Sequence, residues 1–249
     1  MPLNKTIKLQ NLSFTYPGAG NEPVLSNINL NIPEGKTTAI VGMSGSGKTT
    51  ILKLLLRFYE PQKGEIKIGA VQLGQIGFRF WRGACGIVMQ DGFIFSDTIA
   101  KNIAIGGEYP DMQKLLHSIK IANINEFIEN LPLGLNTKIG AEGNGISQGQ
   151  RQRILIARAV YKDPEYIFFD EATNALDANN EKVIMENLEK FFKGRTVVVV
   201  AHRLSTVKNA DNIIVLNKGS IVEQGNHIQL TKNKGEYFQL VKNQLELGN

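Results

Sequence analysis

Apolar positions recur at every second residue over the first stretch of the chain. Ile28, Leu30 and Ile32 alternate cleanly with polar neighbours, and IKLQNLSFTY before them alternates more loosely. Period two is the spacing of a strand with one buried face, so both stretches read as strands parted by the turn material PGAGNEP. TTAIVG (37–42) is a short β-rich run ending in glycine. The spacing then turns helical in KTTILKLLLRFYE, which predicts a helix over 48–60 that stops before Pro61. GEIKIGAVQL reads as a hairpin, and GIVMQ (86–90) as another short strand that ends on Gln90.

From about residue 98 to 161 the apolar spacing is helical, with loops at 106–111 and 131–145. YIFFDE (166–171) and TVVVV are buried strand runs, and DANNEKVIMENLEKFF between them is an amphipathic helix. NIIVLN, SIVEQ and a C-terminal helix complete the pattern. Apolar runs that alternate with helices imply a mainly parallel sheet covered on both faces. The expected fold is α/β, one domain over 1–249. Its core, 1–90 and 162–249, carries an N-terminal antiparallel β subdomain, and a helical subdomain occupies 91–161.

Composition narrows this picture only a little. Residues that are 42% hydrophobic supply a sizeable core. Lys and Arg exceed Asp and Glu by 28 − 23 = 5, which favours anionic partners, but the basic residues are dispersed and a nucleic-acid partner is not expected. Cys85 is the only cysteine, which excludes an intrachain disulfide and a cysteine-rich zinc site. No stretch reaches the roughly 18 apolar residues of a membrane span, and the N-terminus lacks the apolar core of a signal peptide. The chain is expected to be soluble as given, and free to belong to a larger membrane assembly.

The chemistry starts at GMSGSGKT (42–49), the pattern G-x-x-x-x-G-K-[ST] between a strand and a helix. Glycines let such a loop curl so that its N–H groups face phosphate oxygens, a lysine reaches the terminal phosphates and a hydroxyl meets Mg²⁺. Gly42, Ser44, Gly45, Ser46, Gly47, Lys48, Thr49 and Thr50 are therefore candidate nucleotide ligands, Thr49 through the metal. IFFDE delivers Asp170 and Glu171 to the carboxyl edge of a sheet, where ligands bind in open α/β folds. Asp170 suits Mg²⁺ through water, and Glu171 suits a general base that polarises water. As a pair at a strand end they equally suit capping of the next helix. His202 follows TVVVVA, a position for a γ-phosphate contact, while His117 and His227 read as surface residues. Gln90 is a candidate for Mg²⁺ or the water. Tyr16 offers a ring to adenine or to core packing.

A second helix start stands in GISQGQRQRILIARAV (145–160). Ser147 followed by Gln148, Gly149 and Gln150 reads as an N-cap, with an apolar face at Ile154, Leu155, Ala157 and Val160. Arg151, Arg153 and Arg158 form either an anion site or, as the commoner case, a solvated basic face.

These elements in this order resemble the ATP-binding cassette family across essentially the whole chain: Tyr16, GMSGSGKT, Gln90, ISQGQ (146–150), IFFDE, NALD (174–177) and His202. The resemblance implies a P-loop NTPase core and an ATPase that uses Mg²⁺, in which two copies associate head to tail. Ser147 and the Gly149 N–H of one copy would meet the γ-phosphate held by the other, and Asp177 would link the two sites. Glu171 would activate water, His202 would align it, and Tyr16 would stack on adenine. TKIGAEGNGIS (137–147) and AHRLSTVKNAD (201–211) resemble exporters. The stretch 78–103, FRFWRGACGIVMQDGFIFSDTIAKNI, and GISQGQRQRILIARA (145–159) resemble cassettes fused to a membrane domain and an N-terminal cysteine peptidase that export bacteriocin-like peptides.

The chain starts almost at the first cassette strand, so it is expected to be a piece of a fused exporter at the cytoplasmic face of the bacterial inner membrane. Among exporters the alternative is a lipid, drug or protein exporter cassette; outside them the alternatives are an importer cassette, a DNA-associated ATPase and a non-hydrolysing nucleotide module. Of these last three, AHRLST speaks against the first. The lack of room for a coiled coil between Lys48 and Ser147 speaks against the second, and Glu171 against the third. Ile146, Gln148 and Ala141 depart from the family pattern, with Glu142 adjacent to the last.

Overall fold

The computed structural model describes residues 4–18, 20–106, 109–140, 143, 145–170, 176–201 and 207–247. They fall into two compact units, one drawn from 1–84 and 194–249 and the other from 85–193. The apolar pattern draws its boundaries at 90/91 and 161/162 instead. The contacts group strands with the helices that cover them, so two strands and the helix after them go with the helical stretch.

The first unit holds the antiparallel sheet that period two predicts. Its order is β2 (Leu25–Ile32), β1 (Ile7–Phe14), β4 (Lys63–Ile68) and β5 (Val71–Gln72). Ile7, Leu9, Leu12 and Phe14 of β1 and Ile28, Leu30 and Ile32 of β2 are buried, while most of their neighbours face outward. The same unit contains β3 (Thr37–Val41) between two parallel neighbours, β10 (Thr196–Val200) and β11 (Asn212–Asn217). β12 (Ser220–Gly225) returns antiparallel to β11. Strands buried on both faces carry continuous apolar runs, as TVVVV does. Two helices, α8 (His227–Asn233) and α9 (Glu236–Leu247), follow.

Helix α1 (Lys48–Leu55) is shorter than its apolar pattern. Arg57 takes φ 54, and the Arg57 and Phe58 N–H groups bond back to Leu54 O and Lys53 O. This is a Schellman ending, usually built on glycine because a side chain in the left-handed region costs about 1 kcal/mol. Arginine tolerates it here because its side chain is held: it donates to Ile76 O, pairs with Glu60 at 3.2 Å and lies 3.9 Å from the Phe78 ring centroid. Trp81 of α2 (Phe78–Ala84) is fully buried and donates Nε1–H to Leu55 O at 2.8 Å. That bond satisfies a carbonyl at the end of α1.

In the second unit β6 (Cys85–Val88) pairs in parallel with β9 (Tyr166–Asp170). Around them stand α3 (Ile99–Ile103), α4 (Met112–Ile121), α5 (Asn125–Glu129), α6 (Gln148–Tyr161) and α7 (Ala178–Phe192). The stretch 131–145, expected to be loop, contains a two-residue strand β8 (Lys138–Ile139) paired antiparallel with β7 (Asp97–Thr98). Pairs this short carry no periodicity for a sequence to display. His227 is not the surface residue expected: its Nδ1 lies 2.8 Å from the Tyr237 hydroxyl, and it is half-buried. His117 is exposed.

Trp81→Phe should keep the ring contacts and strand the Leu55 carbonyl. Urea unfolding is expected to show a loss of about 2–3 kcal/mol, combining the orphaned acceptor with lost volume.

Candidate functional site

β3 ends at Val41 and the chain turns at Gly42, with φ 148. A Cβ there would stand 2.1 Å from Leu216 O and 2.8 Å from Ser46 Oγ, so only glycine lets the loop lie against β11. The turn that joins β11 to β12 contributes as well. Lys218 and Gly219 both have positive φ, as a two-residue hairpin turn requires. Gly219 N–H donates to Ser46 O at 3.1 Å, and Gly219 O accepts from Ser26 N–H at 2.9 Å. The glycine loop is thus braced by a hairpin far along the chain. Nothing in the local sequence at 218–219 announces that role.

Gly47, φ 103, is the N-cap of α1 and offers no side-chain acceptor to the first N–H groups of the helix. Lys48 is buried, and its Nζ donates to Gly42 O and Met43 O at 2.9 and 3.0 Å. The ammonium therefore lies across the concave side of the loop. Ser46 Oγ is buried without a hydrogen-bond partner among the described residues, an orphaned hydroxyl in the same curl. Ser44 and Gly45 are exposed at the loop tip, and Thr49 is half-buried. The start of a helix, an ammonium and an orphaned hydroxyl together suit an oxyanion.

Tyr16 is half-buried in the same unit. Its hydroxyl lies 3.0 Å from Thr50 Oγ1, and its ring meets Phe14 and Tyr59 edge to face at 5.0 and 5.2 Å. The ring packs, as one of its two sequence readings has it, and its position is tied to the first turn of α1.

In the second unit Asp170 ends β9 and is buried. Gln90 does not end a strand, because β6 stops at Val88, opposite Phe169. It stands in the turn just beyond, at the same carboxyl edge as Asp170. The chain leaves the sheet there to pass over α6: a Cβ on Gly92 would lie 2.2 Å from Leu155 Cδ1. Glu171 and His202 lie outside the described residues, as do Asn174 and Ala175 of NALD and Ala141 and Glu142 before ISQGQ (146–150), the signature stretch.

Ser147 is the exposed N-cap of α6 in a full capping box. Its Oγ accepts from Gln150 N–H at 3.2 Å, and Gln150 Oε1 accepts from Ser147 N–H at 2.8 Å. The serine hydroxyl keeps its own proton to donate. Gln148 is exposed, and Gly149 half-buried. The basic face expected on α6 is only partly solvated. Arg151 is exposed, but Arg158 donates to Asn102 O, Phe93 O and Asn102 Oδ1 at 2.7, 2.8 and 3.2 Å, and burial pushes its pKa down to about 10. It bolts α6 to α3 and to the segment after Gln90. Arg153 Nη1 donates to Asn123 O at 2.8 Å. Carbonyl partners 30 or more residues away leave no signal in the pattern of arginines.

Asp177 is the exposed N-cap of α7 and accepts from the Asn180 N–H at 3.0 Å. The backbone and side chain of Asn180 hold its carboxyl below the usual carboxylate range.

The family model described as ABC transporter matches residues 25–174. The chain is 47% identical over 229 residues to the alpha-hemolysin translocation ATP-binding protein HlyB of Proteus vulgaris, covering 92% of this chain and 32% of that protein. It is 44% identical over 237 residues to ABC transporter B family member 21 of Arabidopsis thaliana, covering 95% of this chain and 18% of that protein. Among solved structures it superposes on a bacterial Atm1-family ABC exporter with ATP bound, with TM-score 0.93, 36% identity and coverage of 98% of this chain and 43% of that chain. The chain therefore spans a third or less of the length of these two curated relatives.

Gly42→Ala and Gly45→Ala should differ in stability. The first drives a methyl into the Leu216 carbonyl and should cost about 2 kcal/mol or more. Gly45 has open space around it, so alanine there meets only the backbone cost of about 1 kcal/mol. Chemical denaturation of both variants checks the order.

Proposed function

The chain belongs to the ABC transporter family, and from that premise we propose that it is the ATP-binding and ATP-hydrolysing cassette of an exporter. Its power stroke is the head-to-tail pairing of two copies around ATP. The observation that carries this reading is the presence of two helix starts equipped for phosphate. One is α1 behind the glycine loop with Lys48, and the other is α6 behind an exposed Ser147. A chain that binds one nucleotide at its own loop has a use for the second start when it is offered to a partner copy.

Gly42, Ser44, Gly45, Ser46, Gly47, Lys48 and Thr50 would surround the phosphates, with Lys48 exchanging its loop carbonyls for phosphate oxygens. Tyr16 would meet the adenine. Ser147, Gln148, Gly149 and Gln150 would face the γ-phosphate of the partner copy, and Asp177 would link the two sites. Thr49, Asp170 and Gln90 each offer oxygen, the donor type that a hard cation such as Mg²⁺ takes beside phosphates and water. Bound with ATP, that ion would neutralise phosphate charge. Glu171 would orient and deprotonate water, and His202 would hold it in line with the γ-phosphate.

The partner in transport would be a membrane domain, fused in the whole protein, with the cassette at the cytoplasmic face of the membrane. No described helix is long and apolar enough to cross a membrane. The likeness to the alpha-hemolysin translocation protein supports a polypeptide cargo. Within that class we propose a leader-cleaved, bacteriocin-like peptide, on the resemblance of the 78–103 stretch.

Glu171→Gln should lower ATP turnover by roughly a hundredfold or more and trap an ATP-bound dimer, read by light scattering. Turnover at the ordinary rate would remove Glu171 from this role, and a variant that stays monomeric with ATP would count against the pairing. Ser147→Arg should abolish hydrolysis while monomer ATP binding, followed with a fluorescent analogue, stays intact. Loss of monomer binding would place residue 147 at the chain's own nucleotide instead.

A further inference from the structure

We propose that Asn180 is a positioning residue that fixes the Asp177 carboxylate and ties it to the signature helix α6, an inference that rests on the paired-cassette reading above. Asn180 stands in the first turn of α7 and is half-buried. It holds both oxygens of one carboxylate. Its backbone N–H donates to Asp177 Oδ1 at 3.0 Å, and its Nδ2 donates to Asp177 Oδ2 at 2.6 Å. An ordinary N-cap uses one oxygen and leaves the carboxylate free to turn. Two bonds to the two oxygens set its plane.

The other end of the same amide faces away from Asp177. Asn180 Oδ1 accepts from Asn123 Nδ2 at 2.9 Å and from Arg153 Nη1 at 3.4 Å. Arginine is donor-only and an ionised carboxylate is acceptor-only, so the amide has one workable orientation. Asn123 adds a third helix end. With φ 50 it closes α4, where Asn123 N–H bonds to Lys120 O and Ile124 N–H to Ile119 O. Its own carbonyl then takes Arg153 Nη1 at 2.8 Å. One amide therefore joins the end of α4, the second turn of α6 and the cap of α7.

Serine or alanine at 180 would keep the backbone cap and lose this junction. A shift of α6, whose first turn carries Gln150 and whose cap is Ser147, would pass through Arg153 and Asn180 to Asp177. Burial holds the Arg153 pKa below its usual value, and the nearby Asp177 and Glu126 carboxylates offset part of that cost. A cleft of about 320 Å³ beside it is lined by Glu126, Asn130, Gln150 and Arg153, so the junction is open to solvent on one side.

The decisive variant is Asn180→Asp in the 249-residue chain. It keeps an acceptor for Arg153 and Asn123 but sets a second carboxylate against Asp177. We expect kcat for ATP to fall roughly tenfold with KM and monomer nucleotide affinity nearly unchanged, the size of one charge-assisted hydrogen bond. Wild-type kcat in N180D would overturn the proposal, and so would a loss of monomer nucleotide affinity that accounts for the whole effect. Should N180D fail to fold, Asn180→Ser carries the same test with a smaller fall. An independent readout is the Asp177 carboxyl titration by NMR, which should move to higher pH in Asn180→Ala; an unmoved titration overturns the positioning role. That readout holds even if the wild-type chain neither dimerises nor turns over ATP, which is the result that would sink the functional reading alone.

Discussion

The backbone of Gly42 passes so close to the Leu216 carbonyl that no side chain fits between them. The glycine loop depends on that contact. β3 lies between β10 and β11, so the loop that leaves its end has β11 as a wall. Gly219, at the turn leaving β11, then fastens Ser46 O. The loop's curvature is thus imposed from outside as well as permitted by its glycines. A curl held in this way keeps its shape before any ligand arrives, which reduces the ordering that binding must supply.

The second unit depends on a different device. α6 carries arginines whose planar forks reach backbone carbonyls on several neighbours. Arg158 fastens the helix to α3 and to the segment that follows Gln90, and Arg153 fastens it to the end of α4. The signature start is therefore a rigid end, with Ser147 and Gln150 locked in a reciprocal cap. β7 and β8 add a tie between the segment after Gln90 and the one that leads into the signature. Segments before α3 and after α5 are joined through backbone pairing as well as through arginines.

Much of this chain is legible as a string of residues. Period-two runs announce the antiparallel sheet, continuous apolar runs announce the parallel strands, and GMSGSGKT and Ser147 announce two helix starts. Local chemistry is enough for these, since a glycine's freedom, a serine's capping and a strand's alternation act over a few residues. The pattern misplaces the end of α1, because Arg57 stops the helix only with help from Ile76, Glu60 and Phe78. It extends β6 to Gln90, because the turn there depends on Leu155 against Gly92.

Tertiary structure alone decided which polar groups meet. Arg153 and Arg158 look like a solvated face until their carbonyl partners are in place. Lys218 and Gly219 look like an ordinary turn until the glycine loop rests on it. Asn123 and Asn180, 57 residues apart, have no common signal in the sequence and share one hydrogen bond in the fold. The reason is range: hydrophobic periodicity and capping are short-range codes, whereas a hydrogen bond between distant residues exists only once the packing has brought donor and acceptor within about 3 Å.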